Sequence, residues 1–182
     1  MIMPWLRHAL VVAMAVTLSA CATLSSMPVG NRAVPQPAKA VVIDRYLGRW
    51  YELFRYDAPF QKDCEAVSAD YSRNTDGSIR VVNSCRMGKI DGPLKTATGR
   101  AKIVDPATGA KLKVSFFGPF YGDYWVLDHD DDYQWSIVGE PSGRYLWVLS
   151  READPSETRK AMLRRRVEEL GYDWARVRVT RH

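Results

Sequence analysis

The sequence predicts an all-β domain: an eight-stranded up-and-down antiparallel β-barrel, with one C-terminal α-helix packed outside it and a short final strand. Three observations carry that reading. From Arg49 onward, short alternating or aromatic-rich runs recur roughly every 10–16 residues. Turn residues separate them, and one stretch of helical patterning follows the last. The length of 182 residues suits one domain with a short tail. With 46% hydrophobic and 26% charged residues, wholesale disorder, collagen and coiled coil are excluded. The net charge of +5 permits an acidic partner or an anionic membrane surface and proves neither.

Residues 1–20 read as a lipoprotein signal peptide. Arg7 precedes an apolar run over 9–18 in which Thr17 is the lone polar residue. That run is far short of the roughly 20 residues a spanning helix needs, and it fits the apolar region of a targeting segment. It ends in Leu18-Ser19-Ala20-Cys21, which resembles the bacterial lipobox at all four positions. That resemblance implies cleavage before Cys21 and acylation of it; an ordinary secretory peptide is the other reading. Ala22 in place of Asp suggests outer-membrane sorting. Residues 21–40 hold Ser25, Ser26, Pro28, Gly30, Pro35 and Pro37 without periodicity, and are expected to form a lipidated tether. The barrel domain then occupies residues 41–182.

The first strand is expected over 50–56. Strands over 66–72 and 78–83 flank Asn74-Thr75-Asp76-Gly77, a hairpin loop in which Gly77 can take positive φ. Strands over 96–104 and 111–117 follow, then a loop over 118–123. Strands over 124–128, 133–138 and 144–150 complete the eight. In the helix, Asp154 is the expected N-cap, Pro155 sits at the first position and Glu157 completes a capping-box pattern. Ala161, Met162, Leu163, Val167 and Leu170 form its apolar stripe, and Gly171 stops it. Residues 176–180 read as the final strand. Short loops favour closure into a barrel over a sandwich, and an α/β fold would need helices between the strands.

Three cysteines in an exported chain leave an odd one, which lipidation of Cys21 accounts for. Cys64 and Cys85 remain, as a disulfide or as two thiols. A two-residue-loop register, with Arg73 opposite Asp76, sets Cys64 opposite Cys85. A bulged loop shifts that by about three residues and requires a compensating bulge. No metal site is expected: His8, His129 and His182 form no ligand-spaced cluster, and Asp130-Asp131-Asp132 lacks calcium-loop spacing. Arg164-Arg165-Arg166 reads as a solvated helix face, or less favourably as a docking site for anionic lipid heads.

Gly48-Arg49-Trp50-Tyr51-Glu52 and Tyr145-Leu146-Trp147-Val148-Leu149-Ser150-Arg151 resemble the first and third motifs of the lipocalin family. The stretch 112–122 is similar to the bacterial outer-membrane lipocalins. The second motif region, 123–133, keeps only Asp128 and flanking aromatics. The resemblance spans about residues 41–181. On physical grounds Trp50 would plug one barrel end, with the Arg151 guanidinium over its indole, which gives Gly48, Trp50 and Arg151 a structural role.

The resemblance implies a binding protein for small hydrophobic or amphipathic lipids such as fatty acids and lysophospholipids. It would be lipid-anchored at the outer membrane, facing the periplasm, and serve envelope maintenance or stress. Alternation proposes Phe54, Tyr56, Tyr71, Phe116 and Trp147 as ligand-lining, with Tyr121 and Tyr124 at the mouth. Arg80, Lys102 and Lys113 are candidates for a head group. No catalytic constellation and no cofactor are expected, and export excludes nucleic acid. A homodimer is left open. The alternative is a lipid- or isoprenoid-modifying enzyme, or a haem or pigment binder, on the same barrel.

Overall fold

The computed structural model describes residues 29–182. The expected signal peptide and Cys21 lie outside them. A four-residue helical turn, α1 (Ile43–Tyr46), leads into β1 (Gly48–Tyr56). Then come β2 (Cys64–Arg73), β3 (Ile79–Met87), β4 (Leu94–Ile103), β5 (Lys111–Phe117), β6 (Phe120–His129), β7 (Trp135–Gly139) and β8 (Leu146–Ser150). The helix α2 (Glu157–Glu169) and a short β9 (Val177–Val179) complete the chain. Each strand from β2 to β7 pairs antiparallel with the next; β1 pairs with both β8 and β2 and closes the barrel.

The edge of β1 is shared. Gly48–Tyr51 pairs with β2, while Phe54–Tyr56 pairs with β9, which fills the gap where β1 and β2 part. The Ala66 N–H donates to the Arg181 carbonyl on the far side of that gap. The barrel ends are therefore distinct. Loops 74–78, 104–110 and 130–134 lie with α1 at one end. The opposite end carries loops 57–63, 88–93 and 140–145 and the tight β5–β6 turn.

Alternation sorts the apolar residues into two layers. Trp50, Val81, Ala101, Leu112, Val126, Val138 and Leu149 point inward with Tyr46 and Tyr71. Leu53, Phe54, Tyr56, Leu127, Ile137 and Val148 point outward and are covered by Leu163, Val167, Leu170 and Tyr172. The helix starts later than its sequence suggests. Ser156, not Asp154, is the N-cap, its Oγ accepting from the Arg159 N–H, so Pro155 precedes the cap. Asp154 instead pairs with Lys160. Ala161 is exposed, which narrows the covering stripe to Leu163, Val167 and Leu170 with Met162 at its edge. Arg166 is not simply solvated: its Nε donates to the buried Asp128 carboxylate at 2.5 Å and ties α2 to β6. Strand β6 begins at Phe120, where a longer loop was expected, because Phe117 already faces Phe120 across the turn.

The segment from Val29 to Ala40 does not run free as a tether. Gly30 and Asn31 donate to the Gly143 carbonyl, and Asn31 Nδ2 donates to the Leu170 carbonyl. Ala38 N–H then bonds the Leu127 carbonyl and Val41 N–H the Thr108 carbonyl. This strap descends the outer wall from the 140–145 loop to the α1 end.

Cys64 and Cys85 form a disulfide with Cα atoms 5.4 Å apart. The register is the bulged one. Arg73 faces Ile79, and an irregularity between Glu65 and Ser68, where Ala66 takes φ 47°, returns one residue so that Cys64 faces Met87. The bond therefore runs diagonally across β2 and β3. Closing a loop of this size is worth roughly 3 kcal/mol in the chain-entropy model. Cys85→Ser is expected to lower the free energy of unfolding by about that amount, read from the urea midpoint at unchanged slope.

Candidate functional site: the barrel interior

The closed end is built on Trp50, which is fully buried. The Arg151 guanidinium lies 3.7 Å from its ring centroid. The same guanidinium donates to the carbonyls of Arg45, Leu47 and Arg49 and, through Nε, to that of Tyr133. Gly48, at φ 93°, lets β1 pass this group: a Cβ there would stand 3.4 Å from the Arg151 Nη1. Above the plug, Tyr124 Oη is 3.0 Å from both Tyr46 Oη and Tyr71 Oη, and Tyr46 also meets Ser136 Oγ. Burial pushes all three phenols up, so the cluster stays neutral. It forms a hydroxyl-rimmed aromatic floor.

Higher in the barrel the two walls differ in bulk. Register places Ala69, Asn83 and Ala97 in line with Trp50 across β2, β3 and β4. Gly99 and Ala101 continue that face, opposite Val81 and Ile79. Phe116 reaches over the Gly99 position, where a Cβ would meet its ring at 2.8 Å. Trp147 stands on the β8 wall, half-buried and stacked on Tyr145. The interior thus has small residues on β2 to β4, with Phe116 laid over the β4 wall and Trp147 on β8. Lys95, opposite Cys85, takes the inward register nearest the open end and has no ion pair among the described residues. Asn83 Oδ1 has no hydrogen-bond partner among them either.

A charged chain of contacts crosses the β1 wall. Trp147 Nε1 donates to Gln61 Oε1, and Gln61 Nε2 donates to Glu52 Oε2 at 2.6 Å. Arg55, wholly buried, donates from Nη1 to Glu52 Oε1 and Thr180 Oγ1. This network holds loop 57–63, β9 and Trp147 to β1. Residues Glu52, Arg55 and Thr180 are invisible to a search for apolar lining.

Of the seven lining residues expected from alternation, Phe116, Trp147, Tyr71 and Tyr124 face inward. Tyr71 and Tyr124 belong to the floor, so Tyr124 is not at the mouth. Phe54 and Tyr56 are corrections. An irregularity between Glu52 and Phe54 turns the rest of β1 over. Phe54 then packs edge-on to Trp174 at 5.0 Å, and Tyr56 lies against Tyr172 and donates to the Asp173 carbonyl. Tyr121 is also on the outer face, beneath Lys102 Nζ at 4.6 Å. The three cations first considered face outward: Lys113 pairs with Asp123, Lys102 covers Tyr121, and Arg80 faces the outward Arg100. Lys95 escaped notice because β4 starts two residues earlier than its pattern suggests.

A separate crevice of about 420 Å³ lies outside the barrel at its closed end, between residues 40–43 and 106–109, and holds no ionisable side chain. Asp130-Asp131-Asp132 forms a hairpin tip in which Asp130 Oδ2 accepts from the Asp132 and Gln134 N–H groups, and Asp131 pairs with Lys39.

A barrel plugged at one end by a tryptophan under an arginine from its last strand, open at the other and flanked by one helix, defines a lipocalin. The chain belongs to that family: the model of the lipocalin-like domain matches residues 41–182. Its relatives include outer membrane lipoprotein Blc of Escherichia coli K12, 38% identical over 80% of this chain and 85% of that one. The Vibrio cholerae protein of the same name is 38% identical over 75% and 80%. Temperature-induced lipocalin-1 of Arabidopsis thaliana is 40% identical over 78% and 80%. Among solved structures, insecticyanin of the tobacco hornworm Manduca sexta superposes with a TM-score of 0.66 at 18% identity, covering 84% of this chain and 87% of its own. Lipocalins are typically binding proteins rather than enzymes.

Glu65, at the β2–β9 junction, gives a pH-dependent test of the wall. Burial pushes its carboxyl up. Hydrogen bonds from the Arg181 backbone and guanidinium and from Arg178 outweigh that and hold it below its ordinary value of 4.5. A carboxylate with a depressed folded value contributes fully above its unfolded value and is lost as pH falls through the folded one. Unfolding free energy is therefore expected to fall below about pH 4.5. Glu65→Gln should be less stable at pH 7 and show a shallower acid limb in urea titrations.

Proposed function

We propose that this lipocalin is an acyl-anchored lipoprotein of the outer membrane, facing the periplasm. In this reading it takes up and stores or carries single-chain lipids with an anionic head, such as fatty acids or lysophospholipids. The observation that supports the reading is the asymmetric interior: a small-residue wall on β2 to β4 with Phe116 laid over it, Trp147 on β8, and Lys95 toward the open end, the space between read as a slot. An acyl chain would lie along the slot, gaining roughly 0.8 kcal/mol per buried CH₂, with its carboxylate or phosphate at Lys95. The unpartnered Asn83 oxygen suits a glycerol hydroxyl. The lipobox at Cys21 and the outer membrane lipoproteins among the relatives support the anchor.

Titration with lysophosphatidylglycerol, followed by intrinsic fluorescence, tests the binding site. Trp147→Ala is expected to weaken binding by about 1–3 kcal/mol, near one large apolar contact. Lys95→Glu should weaken anionic lipids selectively over zwitterionic ones. Trp50→Ala should instead act on folding, lowering stability by about 3–5 kcal/mol. Unchanged affinity in Trp147→Ala, or no lipid binding by folded wild type, would sink the assignment. For the anchor, Cys21→Ser is expected to move the protein from the outer-membrane fraction to the soluble periplasm or to leave an uncleaved precursor. Continued outer-membrane fractionation after normal processing would count against lipidation.

A further inference from the structure

The two barrel ends differ in their exposed aromatic side chains. The open end carries five exposed apolar side chains on two loops and the strand ends beside them: Phe60, Ile90, Leu94, Phe117 and Phe120. Phe117 and Phe120 are 82% and 78% exposed and face one another across the β5–β6 turn, with nothing in the fold to cover them. The opposite end exposes only the smaller Val42, Ile103 and Val104, beside carboxylates of which Asp44, Asp76, Asp131 and Asp132 are ion-paired with Arg73, Arg100, Lys39 and Arg45. A soluble surface rarely concentrates large apolar groups in this way without a partner. Aromatic and aliphatic side chains on loop tips suit the boundary between lipid heads and acyl chains.

The strap indicates which partner. It leaves the barrel beside Gly143, on an open-end loop. From Cys21 to Val29 is eight peptide steps, a reach of at most about 28 Å. A ten-residue strand is itself about 33 Å long. An acyl group on Cys21 would therefore hold the open end near the bilayer and could present the closed end only with the segment drawn taut along the barrel. The geometry points to a mouth-down arrangement in which the apolar rim seats in the membrane surface and the cavity opens directly onto lipid. This rests on the anchored reading above. It adds that lipid enters from the bilayer, without crossing water.

The test uses the full-length protein in vesicles of phosphatidylethanolamine and phosphatidylglycerol. An environment-sensitive fluorophore is placed at Asp91→Cys, between Ile90 and Leu94, or at Thr75→Cys on the closed-end hairpin. Cys64 and Cys85 are bonded to each other. At position 91, the emission is expected to shift to shorter wavelength and iodide quenching to fall at least threefold; position 75 should stay exposed. Adding Phe117→Ser and Phe120→Ser, both outside the core, should return position 91 to water while the protein still floats with the vesicles. Equal accessibility at 91 and 75 would overturn the arrangement. So would protection of 91 in the absence of vesicles, which would make the rim a contact between two copies. Flotation reports separately on the acyl anchor. If the wild type does not float, the lipidation reading fails. The same labels, read with millimolar vesicles added, then still decide: protection at 91 alone supports the rim, and its absence overturns it.

Discussion

The barrel depends on one side chain reaching across its closed end. Arg151 leaves β8 and meets the indole of Trp50, the carbonyls after α1 and the β6–β7 loop at once. A desolvated cation–π contact of this kind is worth about 2 kcal/mol. The position matters more than the sum. These partners span β1, α1 and the 130–134 loop, so one guanidinium from the end of β8 satisfies carbonyls of three elements. With the plug held, the tyrosine floor can form on top of it. With the floor in place, the space above is defined by whichever residues alternate inward. The polar network of Glu52, Arg55, Gln61 and Thr180 plays a comparable part on the β1 wall. Breaking such a buried pair on one side typically costs about 3–5 kcal/mol.

The architecture was legible because it rests on period and punctuation. Alternating runs, turn residues at regular intervals and a capped amphipathic stretch follow from backbone sterics. The pairing of Trp50 with Arg151 was legible through the two motifs that resemble the lipocalin family, placed on the first and last strands. What alternation could not reveal is where it stops. Single-residue irregularities in β1, β2, β5 and β6 each turn a strand over, and no residue type announces them. Phe54 and Tyr56 were assigned inward on a period that breaks two residues earlier. At Ala66, a non-glycine residue takes positive φ, which sequence has no means of suggesting. Lys95 was missed for a different reason: strand ends are the least certain bounds, and its neighbours carry no β-forming pattern.

The outer wall is as specified as the inner one. The strap over residues 29–41 reads as linker because it lacks periodicity, yet it bonds backbone to backbone across β6 and the 104–110 loop. Asp128, the surviving residue of the weakest motif, shows the same economy. One buried carboxylate accepts from Arg166 on the helix while Lys39 of the strap approaches to 3.9 Å. A motif residue with no ligand to hold can thus earn its place by joining three elements.

The placement of the disulfide has a temporal side. Cys64 and Cys85 sit 21 residues apart within one hairpin, a local contact that a chain can make early. Closure is of the other kind: Tyr51 must find Ser150, and Asn31 must find Leu170, at far larger separations and greater loop-closure entropy. The bond therefore restrains the β2–β3 hairpin at a smaller loop-closure cost than the contacts that close the barrel. In an oxidising compartment the half-built barrel would carry its own template for completion.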